Sequence, residues 1–135
     1  MATINEIRVI IYNRFILIWN NETPFTLDNE LFTAPENTPW VRTVVRNTVS
    51  NQDSLGNIGN RKFLRRGSVI TQVFVPIVTG LEEADRLSTI VRSIFEGIRL
   101  TDGLWFFATD TRELGAVGDY YQVMVESEFN YEEVK

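Results

Sequence analysis

Residues 68–98 decide the fold: Ser68-Val69-Ile70-Thr71-Gln72-Val73-Phe74-Val75-Pro76-Ile77-Val78, then Thr79-Gly80-Leu81-Glu82-Glu83-Ala84-Asp85-Arg86-Leu87, running on to Ile98. The first part is rich in β-branched residues, as a strand covered on both faces requires. Pro76 cannot donate to a ladder, so the strand ends there or lies at an edge. The second part changes period. Leu81, Ala84, Leu87, Val91, Ile94, Phe95 and Ile98 recur at three- and four-residue spacing, one face of a helix reaching about Arg99. Thr79-Gly80-Leu81-Glu82 reads as its capping box.

Working outward, Trp40 to Ser50 is a second strand, with Val41, Val45 and Val49 on one face and Arg42, Val44, Arg46 and Thr48 on the other. Leu104 to Thr109 is a third. Tyr120 to Asn130 is a fourth, with Tyr121, Val123, Val125 and Phe129 alternating against Gln122, Met124, Glu126 and Glu128. The hairpin-like loop Arg112 to Asp119 joins these two. Residues 4–19 are rich in Ile, which favours a strand, but Ile4, Ile7, Ile11, Phe15, Ile18 and Trp19 form a helical stripe behind a Thr3…Glu6 capping box. The spacing predicts a helix. Pro24, Pro35 and Pro39 make 20–39 a Pro/Asn-rich linker packed on the surface by Phe25, Leu27, Leu31 and Phe32. Residues 51–67 read as an extended loop with a basic arm. The expected architecture is a single α+β domain over 1–135. Its order is α-β-β-α-β-β, with a mixed, mostly antiparallel sheet and both helices on one face.

Composition excludes whole classes of chemistry. The 135 residues contain no Cys and no His. Thiolate–imidazole zinc sites, Cys nucleophiles and Ser-His relays are therefore ruled out. No cofactor or metal is expected, and no calcium-loop spacing is present. Gly56-Asn57-Ile58-Gly59-Asn60 lacks the Lys-Ser/Thr and the helix of a phosphate loop and reads as a loop tip. Asp102, Asp110, Glu113 and Asp119 are the only candidates for an acid–base pair, and turn chemistry is the better explanation of them. No apolar run is long enough to span a bilayer, and the N-terminal residues lack a secretory n-region, so a soluble cytoplasmic product is expected.

The net charge is −5, unevenly spread. Residues 1–78 hold eight Lys/Arg and six Asp/Glu, a net of +2; residues 79–135 hold five and twelve, a net of −7. Such a chain is a poor nonspecific nucleic-acid binder and is suited to head-to-tail contact with itself or a charged partner. Arg61, Lys62, Arg65 and Arg66 are the candidate contact arm, onto an acidic neighbour or a phosphate backbone. Trp105 and Phe107 flank Phe106 in a strand, so covering both of its faces needs a neighbouring subunit or the linker.

Pro39-Trp40-Val41-Arg42, Ser54-Leu55-Gly56, Leu64-Arg65-Arg66-Gly67-Ser68 through Pro76, and the Gly80-led helix with Ala84, Leu87 and Phe95 resemble the tail-terminator proteins of tailed bacteriophages. The resemblance covers most of residues 1–130 and is most specific over 54–95; its motifs are structural. It implies a compact α/β subunit of a hexameric ring, without enzymatic activity. Such a ring caps the head-proximal end of the tail tube, ends tube polymerisation and meets head-completion or connector proteins. It meets the sheath too where the tail contracts. DNA would pass through without specific binding, and the protein would reside in the virion tail or neck after assembly in the host cytoplasm. Segment 20–39 and the acidic end 130–135 depart from the family pattern, and phage-specific neighbours are expected there. The alternative is another neck or head-closure component. A small carboxylate enzyme and a nucleic-acid-binding module are weaker alternatives.

Overall fold

The computed structural model describes residues 3–27, 32–33, 37–52, 54, 56–77, 80–100 and 103–134, except the side chain of Val49. The elements run α1 (Ile4–Trp19), β1 (Phe25–Leu27), β2 (Trp40–Gln52), β3 (Lys62–Pro76), α2 (Leu81–Phe95), β4 (Trp105–Val117) and β5 (Tyr120–Val134). The strands form one five-stranded sheet in the order β1-β2-β3-β5-β4. β1 pairs parallel with β2, and every other pairing is antiparallel. The expected α+β class and one-sided helix layer are as observed. The linker contributes an added short edge strand, β1.

α1 forms despite its β-branched residues because each turn buries one large side chain: Ile7, Ile11, Phe15 and Trp19. The Thr3 hydroxyl accepts the Glu6 amide at 3.3 Å and donates to the Glu6 carboxylate, so the cap is a variant of the expected box. Asn20 ends the helix in the left-handed region at φ 49°. α2 starts differently from expectation. Its N-cap is Gly80 without a side-chain cap, and Thr79 lies outside the described residues. It also stops at Phe95, not Arg99. Gly97 takes a φ of 68°, and its amide donates to the Phe107 carbonyl at 3.0 Å. The stretch 97–100 thus leaves the helix to satisfy the outer edge of β4, with Phe106 N–H donating to the Ile98 carbonyl at 2.8 Å.

The helices cover one sheet face, α1 over β2 and α2 over β3, β5 and β4. The core between them joins Ile7, Ile11, Phe15 and Trp19 to Leu87, Val91, Ile94 and Phe95 above Val41, Val45, Val69, Val73, Val123, Val125 and Phe129. Arg14 ties the layer together by donating its Nε–H to the Ile94 carbonyl at 2.7 Å, near the C-terminal end of α2. Burial lowers the pKa of Arg14.

The loop expected over 51–67 is strand at both of its ends, residues 51–52 and 62–67. β2 continues to Gln52 and β3 begins at Lys62, in register as Gln52↔Phe63. The polar character of this stretch reflects its two exposed sides, which a ladder tolerates once each strand has a partner. The hairpin-like loop expected over 112–119 is a hairpin with a shorter turn: β4 runs on to Val117, and Val117↔Tyr120 closes on Gly118-Asp119.

Candidate partner interface on the open sheet face

Among the described residues, no layer covers most of the face away from the helices. Because Val41, Thr43 and Val45 are buried toward the helices, Arg42, Val44 and Arg46 occupy the opposite side. Register carries this assignment across the sheet. Arg42 lies beside Gln72, Met124 and Arg112; Val44 lies beside Ile70, Glu126 and Asp110; Arg46 lies beside Ser68 and Glu128. Further along, Arg66 is beside Asn130 and Trp105, and Leu64 beside Glu132.

One end of this face is closed. Trp40 stacks on Phe74 with centroids 4.1 Å apart, Phe32 lies 5.0 Å from Trp40, and Tyr120 packs edge-on. Linker residue Phe32 therefore caps the Trp40 end as a surface-packed linker should; Leu31 is outside the described residues. The middle holds a hollow of about 330 Å³ lined by Thr48, Arg66, Ser68, Phe107, Glu126, Glu128 and Asn130. The Asn130 Oδ1 beside it is buried and accepts no hydrogen bond.

Of the six residues expected at a contact, Trp105 and Phe107 come together, with ring centroids 5.2 Å apart. Phe106 between them is buried in the core, as alternation requires. The described part of the linker does not reach Trp105: β1 and β4 are at opposite edges of the sheet, and Phe32 packs on Trp40. Instead the Arg99 guanidinium lies 4.0 Å from the Trp105 ring centre.

The basic arm is split by the same alternation. Arg65 faces the helix side, where it donates to Glu133 at 2.8 Å and to Ser50 Oγ at 2.9 Å. It is an internal brace, not part of a projecting arm. Arg61 and Arg65 both lie against the Phe63 ring. Lys62 and Arg66 fall on the open side, both exposed. Nor do the two halves of the chain form two separate surfaces: basic β3 and acidic β5 are paired along their whole length.

Charge is segregated in another way, strand by strand on the open face. The β2–β3 flank presents Arg42, Arg46, Lys62 and Arg66 and, among the described residues, no carboxylate. The β5–β4 flank presents Glu126, Glu128, Glu132 and Asp110, with Arg112 among them. Alternation in the two strand sequences already placed Arg42 with Arg46 and Glu126 with Glu128. What it lacked was the strand order that sets the pairs at opposite flanks.

The acid–base candidates are not assembled. Asp110 is on the open face beside Glu126, while Glu113 is opposite Val123 on the helix side. Asp119 is in the hairpin end, and Asp102 lies outside the described residues. Among the described residues no group of three potential ligands gathers, and no helix is long and apolar enough to cross a membrane.

No protein-family model and no curated protein matches the chain. Solved structures do: 22 chains match. One of them shares 17% identity over 96% of both chains at a TM-score of 0.71. That likeness is one of fold: the two-helix, mixed-sheet architecture of this chain is shared by proteins already solved.

Proposed function

We propose that this chain is a structural subunit of a phage tail terminator, closing a ring at the head-proximal end of the tail tube and joining it to the neck. The observation that supports an assembling protein most strongly is α1. Its inner stripe fills the core, yet Val9, Ile16 and Leu17 on its outer side are 48%, 42% and 78% exposed. A helix apolar on both sides is the pattern of one buried from both sides. α2 is a control in the same layer: its outer side carries Glu82, Asp85, Arg86, Thr89 and Arg92, as a solvent-facing helix does. The sequence resemblance over 54–95 supplies the kind of assembly. The partners in this reading are further copies of the chain, the tail tube protein and head-completion or connector proteins.

The test is native mass together with negative-stain imaging of the purified protein at rising concentration, alone and with purified tail tubes. A closed ring of about six subunits, free or on tube ends, is expected. A monomer that leaves tube ends bare contradicts the proposal.

A further inference from the structure

Away from the open face some charges are paired within the chain, Arg65 with Glu133, Arg86 with Glu22 and Glu83, and Arg92 with Glu96, while Glu82, Asp85 and Glu113 form no ion pair among the described residues. On the open face, Arg42, Lys62, Arg66, Asp110, Glu126 and Glu128 form no ion pair among the described residues. These unpaired charges are sorted by sign toward opposite edges. The edges are also incompletely covered. Among the described residues, β1 pairs with residues 41–43 of β2, and the 97–100 stretch meets the start of β4.

The patch satisfies itself only partly within a monomer: Arg66 on β3 lines the same hollow as Glu128 on β5, but β3 and β5 hold Arg42 on β2 away from Asp110 on β4. It is satisfied in full when the basic flank of one copy meets the acidic flank of the next. Such a heterologous contact forms a ring where its rotation closes. Charges at the rim of an interface act chiefly by orienting the partners and rejecting wrong registers. We propose that copies of this chain associate head to tail through the open sheet face. Arg42, Lys62 and Arg66 of one copy lie against Asp110, Glu126 and Glu128 of the next. This rests on the assembly reading for its occupant, a second copy, and assigns the residues that set orientation. The Trp105–Phe107 pair and the hollow between Arg66 and Phe107 lie on the same face, so the apolar contact area adjoins the acidic flank.

The experiment uses two double variants of the full chain, Arg42→Glu with Arg66→Glu, and Glu126→Lys with Glu128→Lys. Association is followed by sedimentation velocity over a concentration series at low and high salt, with circular dichroism and thermal melting as folding controls. Each variant alone is expected to associate at least tenfold more weakly than the wild type. An equimolar mixture is expected to recover association, because each supplies the flank the other reversed. Wild-type association should weaken with salt. If a reversal unfolds the chain, the Gln substitutions at the same positions replace it, with a smaller loss expected. Folded variants that associate like the wild type, or a mixture that stays dissociated, overturn the proposal while leaving a ring built on another surface intact. A wild-type chain that stays monomeric at every concentration also overturns it. The tube-capping assay then judges the terminator reading separately.

Discussion

Gly67 shows how closely the sheet is fitted at single positions. A Cβ there would lie 2.4 Å from the Arg46 carbonyl oxygen and 2.6 Å from the Phe129 ring. Both are held in place, one by the ladder and one by the core. Gly67→Ala is therefore expected to destabilise the fold by about 1–3 kcal/mol, the usual cost of overpacking a tight site; urea unfolding measures it. Tyr131 makes a second prediction. Its ring is fully buried, its hydroxyl donates to Asn47 Oδ1 at 3.4 Å, and burial raises its pKa. The fold thus favours the neutral phenol. Its contribution is complete below the unfolded value, about 10, and is lost as pH rises from there through the folded pKa. Urea midpoints from pH 8 to 11 should fall more steeply for the wild type than for Tyr131→Phe. Parallel curves contradict the assignment.

At the scale of elements, sheet edges and helix faces behave differently from the core. Asp110 and Glu126 stand directly opposite on β4 and β5, a like-charge pair that costs the isolated subunit stability. Asp110→Lys should stabilise the monomer by roughly 0.2–1 kcal/mol while weakening association. Thermal melting and sedimentation of the same sample would show the two effects moving in opposite directions. On α1, Leu17→Lys should leave monomer stability within about 0.5 kcal/mol, as for an exposed site, and reduce assembly. A large loss of monomer stability instead would mean that Leu17 packs within its own subunit. Much of this level was legible in the sequence. The 3–4 spacing located α1 and α2, alternation located β2 and β5, and a continuous β-branched run located β3. Their ends were not legible, because these depend on tertiary partners. α2 stops where Gly97 turns to pair with β4, and β3 starts six residues before the apolar run because β2 and β5 flank it there. β1 is three residues long and exists only through its pairing with β2.

Over the whole molecule, strand order is what converts a charge pattern in sequence into a charge pattern in space. A basic half and an acidic half along the chain suggested two surfaces. The crossover through α2 instead sets β5 between β3 and β4, so the halves interleave and the separation survives only across the open face. The contact cluster was half legible for the same reason: residue types marked 61–66 as basic, but alternation sent Arg65 inward to Glu133 and left Lys62 and Arg66 outside. The resulting subunit has a filled core on one side of its sheet, and an apolar helix flank and a polarised sheet face elsewhere. In the proposed function these surfaces are used in a ring that stops a growing tube. The most direct measurement is the length distribution of tail tubes polymerising in vitro with and without this protein. At one ring per tube end, elongation from the head-proximal end is predicted to cease, with ring density visible on that end alone. Tubes that lengthen at the same rate and carry no terminal density would contradict the proposed function.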